Sequence, residues 1–509
     1  MQKSILDKAT APLFEWVKFH FLTKKMTTPV GIILFFLLAL LVPYVTVVVS
    51  LKLSISIVAI TGIILLCVVC IAYPVIGYYI SFFVSLFLTL PEKLLNAEQM
   101  LPVGLIPEFI SYLALIGVVT KHKYRKEIDN RFWHNGITLW MVILLLYYIL
   151  ELVNPSMPNK FGWFNFFRKQ LSFFAFFYVS YCVLNSKKAI WTFMKLWVLL
   201  STLHALYCCK QQWFGFFDFE YYWVVSDETR SSLYINWGFF RRFGLISDPA
   251  NAGILYALST LSVLVLALRS NKVSERILYY VLALIHFLAA GYTGTRTATL
   301  MVIAGVVFYC ILTLHERRTL IFSGCFALLF IAIMYVPIYD NFVINRIRST
   351  FEGSKDHSQM VRDINRKTVQ PYVYSHPIGG GINTSGVPGF LYNPGHYLNQ
   401  FSADSGYMLV MMEQGTIGLL LMMISYFVIL RMGIKYSYRV RDPDIKTLYI
   451  GSLVFIFTMM VAQFSQSATG QYPSMLFYLG ATVIIIKCQR YDSTAIEAHA
   501  EQKESYNHE

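Results

Sequence analysis

Apolar runs long enough to cross a bilayer follow one another along almost the whole chain, separated by short polar segments. They begin near Val30, Ile55, Val75, Leu101, Ile137, Lys169, Ala189, Ala250, Ile277, Thr297, Thr319, Ser405, Leu448 and Gln471. Each is roughly 17 to 25 residues long, which at ~1.5 Å per residue spans the hydrocarbon layer as a helix. None alternates like a barrel strand, and lipid cannot satisfy open backbone groups, so helices are predicted. The expected fold is all-α and polytopic, with about 12–14 transmembrane helices, the count depending on how the stretch from Ile55 to Leu90 divides. A membrane domain over residues 30–490 is thus preceded by an amphipathic cytoplasmic segment, 1–29, and followed by a polar, disordered cytoplasmic tail, 491–509.

The polar interruptions are unequal. One long loop, 337–403, holds most of the polar residues between helices, and a membrane protein that concentrates extramembrane residues in one loop usually does its chemistry there. Short basic connections recur at every second position: Lys24 and Lys25, 121–131, Lys187 and Lys188, 269–276, Arg317 and Arg318, and 431–446. The bias of lysine and arginine toward cytoplasmic loops places these connections and both termini in the cytoplasm, and the 337–403 loop outside.

Composition sharpens this picture. With 56% hydrophobic and 14% charged residues and a mean hydropathy of +0.55, the chain is predicted to be a membrane protein rather than a soluble one. The net charge of +14 divides into orientation signals on the cytoplasmic side and an external set that needs another explanation. Nucleic acid is not an expected partner, because the basic clusters are short and accounted for by orientation. The eight cysteines sit in or beside apolar runs without zinc or haem spacing, and no Gly-rich, lysine-containing nucleotide loop is present. No metal and no cofactor are expected. The first apolar run follows Pro29 without a small-residue cleavage site and reads as an anchor.

Two arginines fall at external helix ends against the charge rule. Arg242 follows the aromatic-rich segment 213–240 and precedes Gly244 and Asp248-Pro249-Ala250-Asn251, where Asp248 is expected to cap the next helix. Arg296 follows Gly291, Thr293, Gly294 and Thr295, a turn whose amides and hydroxyls are suited to converge on an anion. Each arginine alone fits either a side chain reaching lipid phosphate or a positioned guanidinium; the surrounding turn residues favour the second. The aromatics of 213–237 fit a membrane-interface belt or sugar stacking.

In the large loop, Arg346, Arg348, Ser358, Arg362, Arg366 and Lys367 precede a turn containing Pro377, Gly379, Gly380 and Gly381. Their spacing predicts amphipathic helical pieces with a basic face, and the glycines a close turn. Asp404 then stands at the head of a helix, as a cap or a functional carboxylate. Glu413 lies roughly 13 Å deeper at ~1.5 Å per residue, where an ion-paired structural role is expected. Gly415 and Gly418 are expected to permit close helix packing.

Taken in order, these pieces resemble the O-antigen ligase and O-antigen polymerase superfamily of bacterial membrane glycosyltransferases, over about 236–425. The likeness rests on Arg242, Gly244, Asp248, Pro249 and Asn251; on Gly294-Thr295-Arg296; on Ser358 and Arg362; on Pro377, Gly379 and Gly381; and on Tyr407, Glu413, Gly415 and Gly418. It implies metal-independent, inverting transfer of a glycan from an undecaprenyl-pyrophosphate carrier at the external face of the bacterial inner membrane. Arg242, Arg296 and Arg362 would hold the pyrophosphate, and Asp404 or, second, His396 would act as the base. Ligases of the family typically carry histidine where this chain has Asp404, which favours a polymerase of O-antigen or exopolysaccharide repeat units. The alternatives are a ligase moving glycan to lipid A core or to protein, and a flippase of lipid-linked sugar. The implied partners are the lipid-linked donor, a glycan or lipid A core acceptor, membrane lipid, and a chain-length regulator and flippase. Against a transporter, no internal repeat is visible, and Gln463 and Gln466 are the main polar residues of the late helices.

Overall fold

The computed structural model describes residues 51–95, 103–121, 131–236, 238–246, 248–337, 342–351 and 357–492, with a few isolated positions before 51. The expected amphipathic N terminus, the run near Val30, the end of the tail, and the side chains of Arg346, Ser358 and Arg362 lie outside the described residues. The protein is an all-α polytopic membrane protein. Every apolar run from Ile55 onward is a helix: α1 (Leu51–Ala72), α2 (Pro74–Leu86), the short α3 (Leu90–Leu95), α4 (Leu105–Thr120), α5 (Gly136–Leu150), α6 (Phe161–Val183) and α7 (Lys187–Trp213). After two short helices, α8 (Asp218–Val225) and α9 (Glu228–Tyr234), come α10 (Pro249–Arg269), α11 (Val273–Tyr292), α12 (Arg296–Leu312) and α13 (Arg317–Tyr335). The long loop contains α14 (Phe342–Ser349), α15 (His357–Ser375) and α16 (Gly386–Tyr392), and the chain finishes with α17 (Gly406–Arg439), α18 (Pro443–Ser465) and α19 (Ser474–Lys487). Seven of these helices are long and apolar enough to cross a membrane. The strand content among the described residues is one two-residue hairpin, β1 (Ile235–Asn236) with β2 (Phe239–Phe240).

Local chemistry sets the helix ends. Pro74 starts α2 and resolves the ambiguous stretch into two helices. Asp248 accepts from Asn251 N at 2.8 Å ahead of Pro249, as predicted, and Asp442 accepts from Asp444 N at 2.9 Å ahead of Pro443. One expected cap is displaced: α17 is capped by Ser405, whose Oγ accepts from Met408 N, and Asp404 lies one residue outside it.

Burial follows helix position. α10 is enclosed almost all round by α7, α11, α12 and α18, whereas α13 presents nearly its whole surface outward, with Ile321, Leu328 and Leu329 exposed. In a membrane domain such side chains face lipid. The antiparallel packing collects the loops at two ends. At one, Arg269 pairs with Glu316 at 2.9 Å and Lys187 with Asp442 at 2.8 Å. At the other, Thr297 bonds Ser465 at 2.7 Å and Asn159 N donates to Asn393 Oδ1 at 2.9 Å, so the long loop, the starts of α10, α12 and α17, and the end of α18 meet.

Candidate active site

The site end is built from two interlocked parts, and the first joins the loop before α10 to the turn before α12. Arg241, buried, donates from Nε to Thr293 O and from Nη2 to Thr295 Oγ1, both at 2.9 Å. Arg242 N donates to Tyr292 O at 3.2 Å, and Thr295 Oγ1 donates to Pro249 O at 2.9 Å. Gln211 reaches in from α7 to accept from Gly244 N at 2.8 Å and to donate to Gly244 O at 3.1 Å. A buried lysine, Lys93 on α3, donates to Ile246 O at 2.6 Å while lying 4.2 Å from the centre of the Phe243 ring. Burial pushes the Lys93 ammonium down to about 7, opposed by Glu220, Asp248 and Glu92. The Thr293 and Thr295 hydroxyls, expected to face an anion, are spent inside this braid: Thr293 Oγ1 donates to Ala290 O at 2.7 Å. Neither Arg241 nor Lys93 stood out in the sequence, because nothing local distinguishes a braced cation from a surface one.

The guanidinium of Arg242 leaves this braid. It donates to Gln212 Oε1 at 3.0 Å and to the Phe240 carbonyl, between the rings of Phe216 and Phe239. Burial lowers its pKa from the ordinary arginine value.

The second part is a break in α17. Gly415 has φ +66° and ψ −169°, values no helix contains, so the helix is interrupted inside the membrane domain and its freed carbonyls need partners. The glycine turn supplies them. Gly380 N donates to Met412 O at 2.9 Å, Gly381 N to Glu413 O at 2.8 Å, and Tyr147 OH to Gln414 O at 2.6 Å. In return Thr416 Oγ1 donates to Pro377 O at 3.2 Å. The two chains touch backbone to backbone: a Cβ at Gly379, where φ is +76°, would stand 2.5 Å from Glu413 O. Gly415 therefore breaks a helix rather than easing helix against helix, while Gly418 lies against Gln414 and Tyr147.

Glu413 departs from the expected ion pair. Its carboxylate accepts from Asn383 N at 3.0 Å, Ser385 N at 3.2 Å and Ser385 Oγ at 2.6 Å. Backbone amides of the loop take the place of a cation, which ties residues 383–385 to the broken helix.

Between α12, α15 and the start of α17 lies a cavity of about 630 Å³. Arg296, Arg366, Asp363 and Asp404 line its polar part; Leu300, Met411, Leu419 and Phe464 line its apolar part. Arg296 is half-buried and Asp404 exposed; Arg366 donates to Asp363 at 3.0 Å. The structure thus brings Arg296 and Asp404 to one cavity, and adds Arg366, which the sequence placed on the basic face of an amphipathic piece. Arg242 is not among the lining residues. Arg362 lies on α15 beside the cavity-lining Asp363 and Arg366, but its side chain is outside the described residues. His396 sits elsewhere, 3.5 Å from Tyr372 OH, with Nδ1 accepting from Leu398 N at 3.1 Å. Burial first, then nearby His376, lowers its pKa.

Residues 279–423 match a family model described as O-Antigen ligase. The match runs from α11 across the Arg296 turn, the long loop and the break at Gly415, and stops short of the Arg242 loop. No curated protein matches the chain.

Proposed function

We propose that this chain, which matches a family model described as O-Antigen ligase over residues 279–423, moves a glycan from undecaprenyl pyrophosphate onto a second glycan, as a polymerase of repeat units. The observation that carries the reading is the cavity at one helix end, whose lining combines the Arg296 guanidinium and the Asp404 carboxylate with hydrocarbon side chains. A lipid-linked pyrophosphate has that division of character.

In the proposed reaction the acceptor hydroxyl oxygen attacks the anomeric carbon as the bond from that carbon to the pyrophosphate oxygen breaks. The bonding pair leaves with the pyrophosphate, whose growing charge Arg296 and Arg366 offset. Asp404 takes the hydroxyl proton. Attack opposite the leaving group inverts the anomeric centre. The site end faces the exterior of the inner membrane and the end bearing Lys187 and Arg269 faces the cytoplasm, as the distribution of basic connections favours. Aspartate in place of the histidine typical of ligases favours polymerase, and chain-length regulators and flippases are the partners such an enzyme would meet.

The test uses purified protein in nanodiscs with the undecaprenyl-pyrophosphate-linked repeat, alone and with lipid A core. A product ladder from the donor alone is expected. Product requiring lipid A core would make the protein a ligase, and donor binding without product would favour a transporter. Arg296→Ala is expected to cut turnover by about 100-fold or more, and Arg296→Lys to fall well below wild type because the planar fork is lost. Arg242→Ala should cost less, since Gln212 and Phe240 already occupy that side chain. Full turnover in Arg296→Ala removes the pyrophosphate role, and unchanged turnover in Asp404→Asn removes Asp404 as the base.

A further inference from the structure

A second cavity, of about 200 Å³, lies among α5, α6, α17, α18 and α19. The start of α17 lies between it and the Arg296 cavity: Tyr407, Met408 and Met411 line the one, Gly406, Leu409 and Val410 the other. Most of its wall is hydrocarbon or aromatic ring, including Tyr148, Phe166 and Phe173. The wall also has polar members, Gln170, Asn383, Gln414 and Gln463, with Gln463 lying against Gly406.

Two of these amides belong to largely buried residues and line the cavity. Gln463, 2% exposed, accepts at Oε1 from Ala468 N and Thr469 N, both at 2.9 Å. That fixes which end is nitrogen, and Nε2 is turned toward Gly406. The side-chain amide of Gln414, 4% exposed, has no hydrogen-bond partner among the described residues. Both amides therefore present hydrogen-bonding groups to whatever occupies the cavity.

The chemistry of the wall selects what that is. No cationic side chain lines it among the described residues, so a phosphate has nothing to neutralise it. Glu413 lines it too, but its oxygens already accept from Asn383 and Ser385, and the groups left open are amides. Neutral hydroxyls flanked by ring faces fit both halves of this surface. We infer that the cavity is a subsite for one uncharged sugar ring of the acceptor glycan, held by Gln414 and Gln463 across the α17 lip from the donor cavity. The inference rests on the transferase reading, to which it adds an acceptor side.

The test follows the full-length protein in nanodiscs with two probes: the lipid-linked repeat as donor, and the same repeat released from its lipid as acceptor. Gln414→Leu is expected to raise the acceptor KM about tenfold or more, with donor Kd within about twofold of wild type. Val410→Trp, which places a bulky ring in the cavity wall while keeping both glutamines in the sequence, should do the same. The free repeat should also raise the Tm of wild-type protein, and not that of Gln414→Leu, in the absence of donor. An unchanged acceptor KM in both folded variants, or no thermal shift in wild type, overturns the acceptor subsite while an Arg296-dependent ladder leaves the transferase reading standing. No transfer by wild type removes both.

Discussion

Arg241 donates to Thr295 Oγ1 at 2.9 Å, so the residue before Arg242 holds the residue before Arg296. The two arginine turns are one structure, and its brace is the neighbour of the arginine that the sequence singles out. Arg241→Lys keeps the charge, but one ammonium cannot serve the Thr293 and Leu233 carbonyls and the Thr295 hydroxyl together. A loss of about 1.5–3 kcal/mol is expected from the broken charge-assisted bonds. Thermal unfolding in detergent checks this; a Tm equal to wild type would mean the brace contributes nothing.

At Gly415 an added methyl group meets backbone. The φ of +66° is one that side chains rarely adopt, and a Cβ there would stand 2.1 Å from Pro377 O. Gly415→Ala is expected to lower stability by more than the ~1–3 kcal/mol of backbone strain alone, and Gly379→Ala to behave alike. Folded yield by size-exclusion chromatography reports it. Wild-type yield for either variant would contradict the backbone contact between loop and helix.

Glu413 offers a contrast between charge and hydrogen bonding. Were it an ion-paired residue, Glu413→Gln and Glu413→Ala would be equally damaging. As an acceptor for Asn383 N, Ser385 N and Ser385 Oγ, it should tolerate glutamine, which keeps one carbonyl, better than alanine, which orphans every donor at about 1–3 kcal/mol each. Protease sensitivity of residues 383–392 orders the variants: alanine most cleaved, glutamine intermediate. The reverse order would restore a charge-based role.

Lys93 makes stability depend on pH. Its folded pKa, pushed down to about 7, lies below the ordinary 10.5, so between these values the unfolded chain binds more protons than the folded one. Stability should therefore rise with pH across that window, and below about 7 the full cost of the buried charge applies. Thermal unfolding at pH 7 and 9 should give a higher Tm at pH 9, and Lys93→Met should flatten the difference. An identical pH response in the variant would assign the effect to another group.

The sequence by itself determined the helices, because a run of apolar residues and the capping chemistry at its ends are local properties. The cap Asp248 ahead of Pro249 was legible for that reason, whereas the stretch from Ile55 to Leu90 divides in more than one way by sequence, and the structure places its division at Pro74. It also marked Arg296, Asp404 and the Pro377 to Gly381 turn, whose residue types are unusual beside membrane segments. Only the tertiary structure decided how they combine. Antiparallel packing of α12, α17 and α18 sets Arg296 and Asp404 on one cavity, while Arg242, one residue from the brace, points among Phe216 and Phe239. The pairing of Glu413 with backbone amides, and the helix break that turns Gly415 toward Pro377, depend on segments about 30 to 40 residues apart meeting in space. No periodicity records such a meeting; it exists once the freed carbonyls of a broken helix find the loop amides that satisfy them.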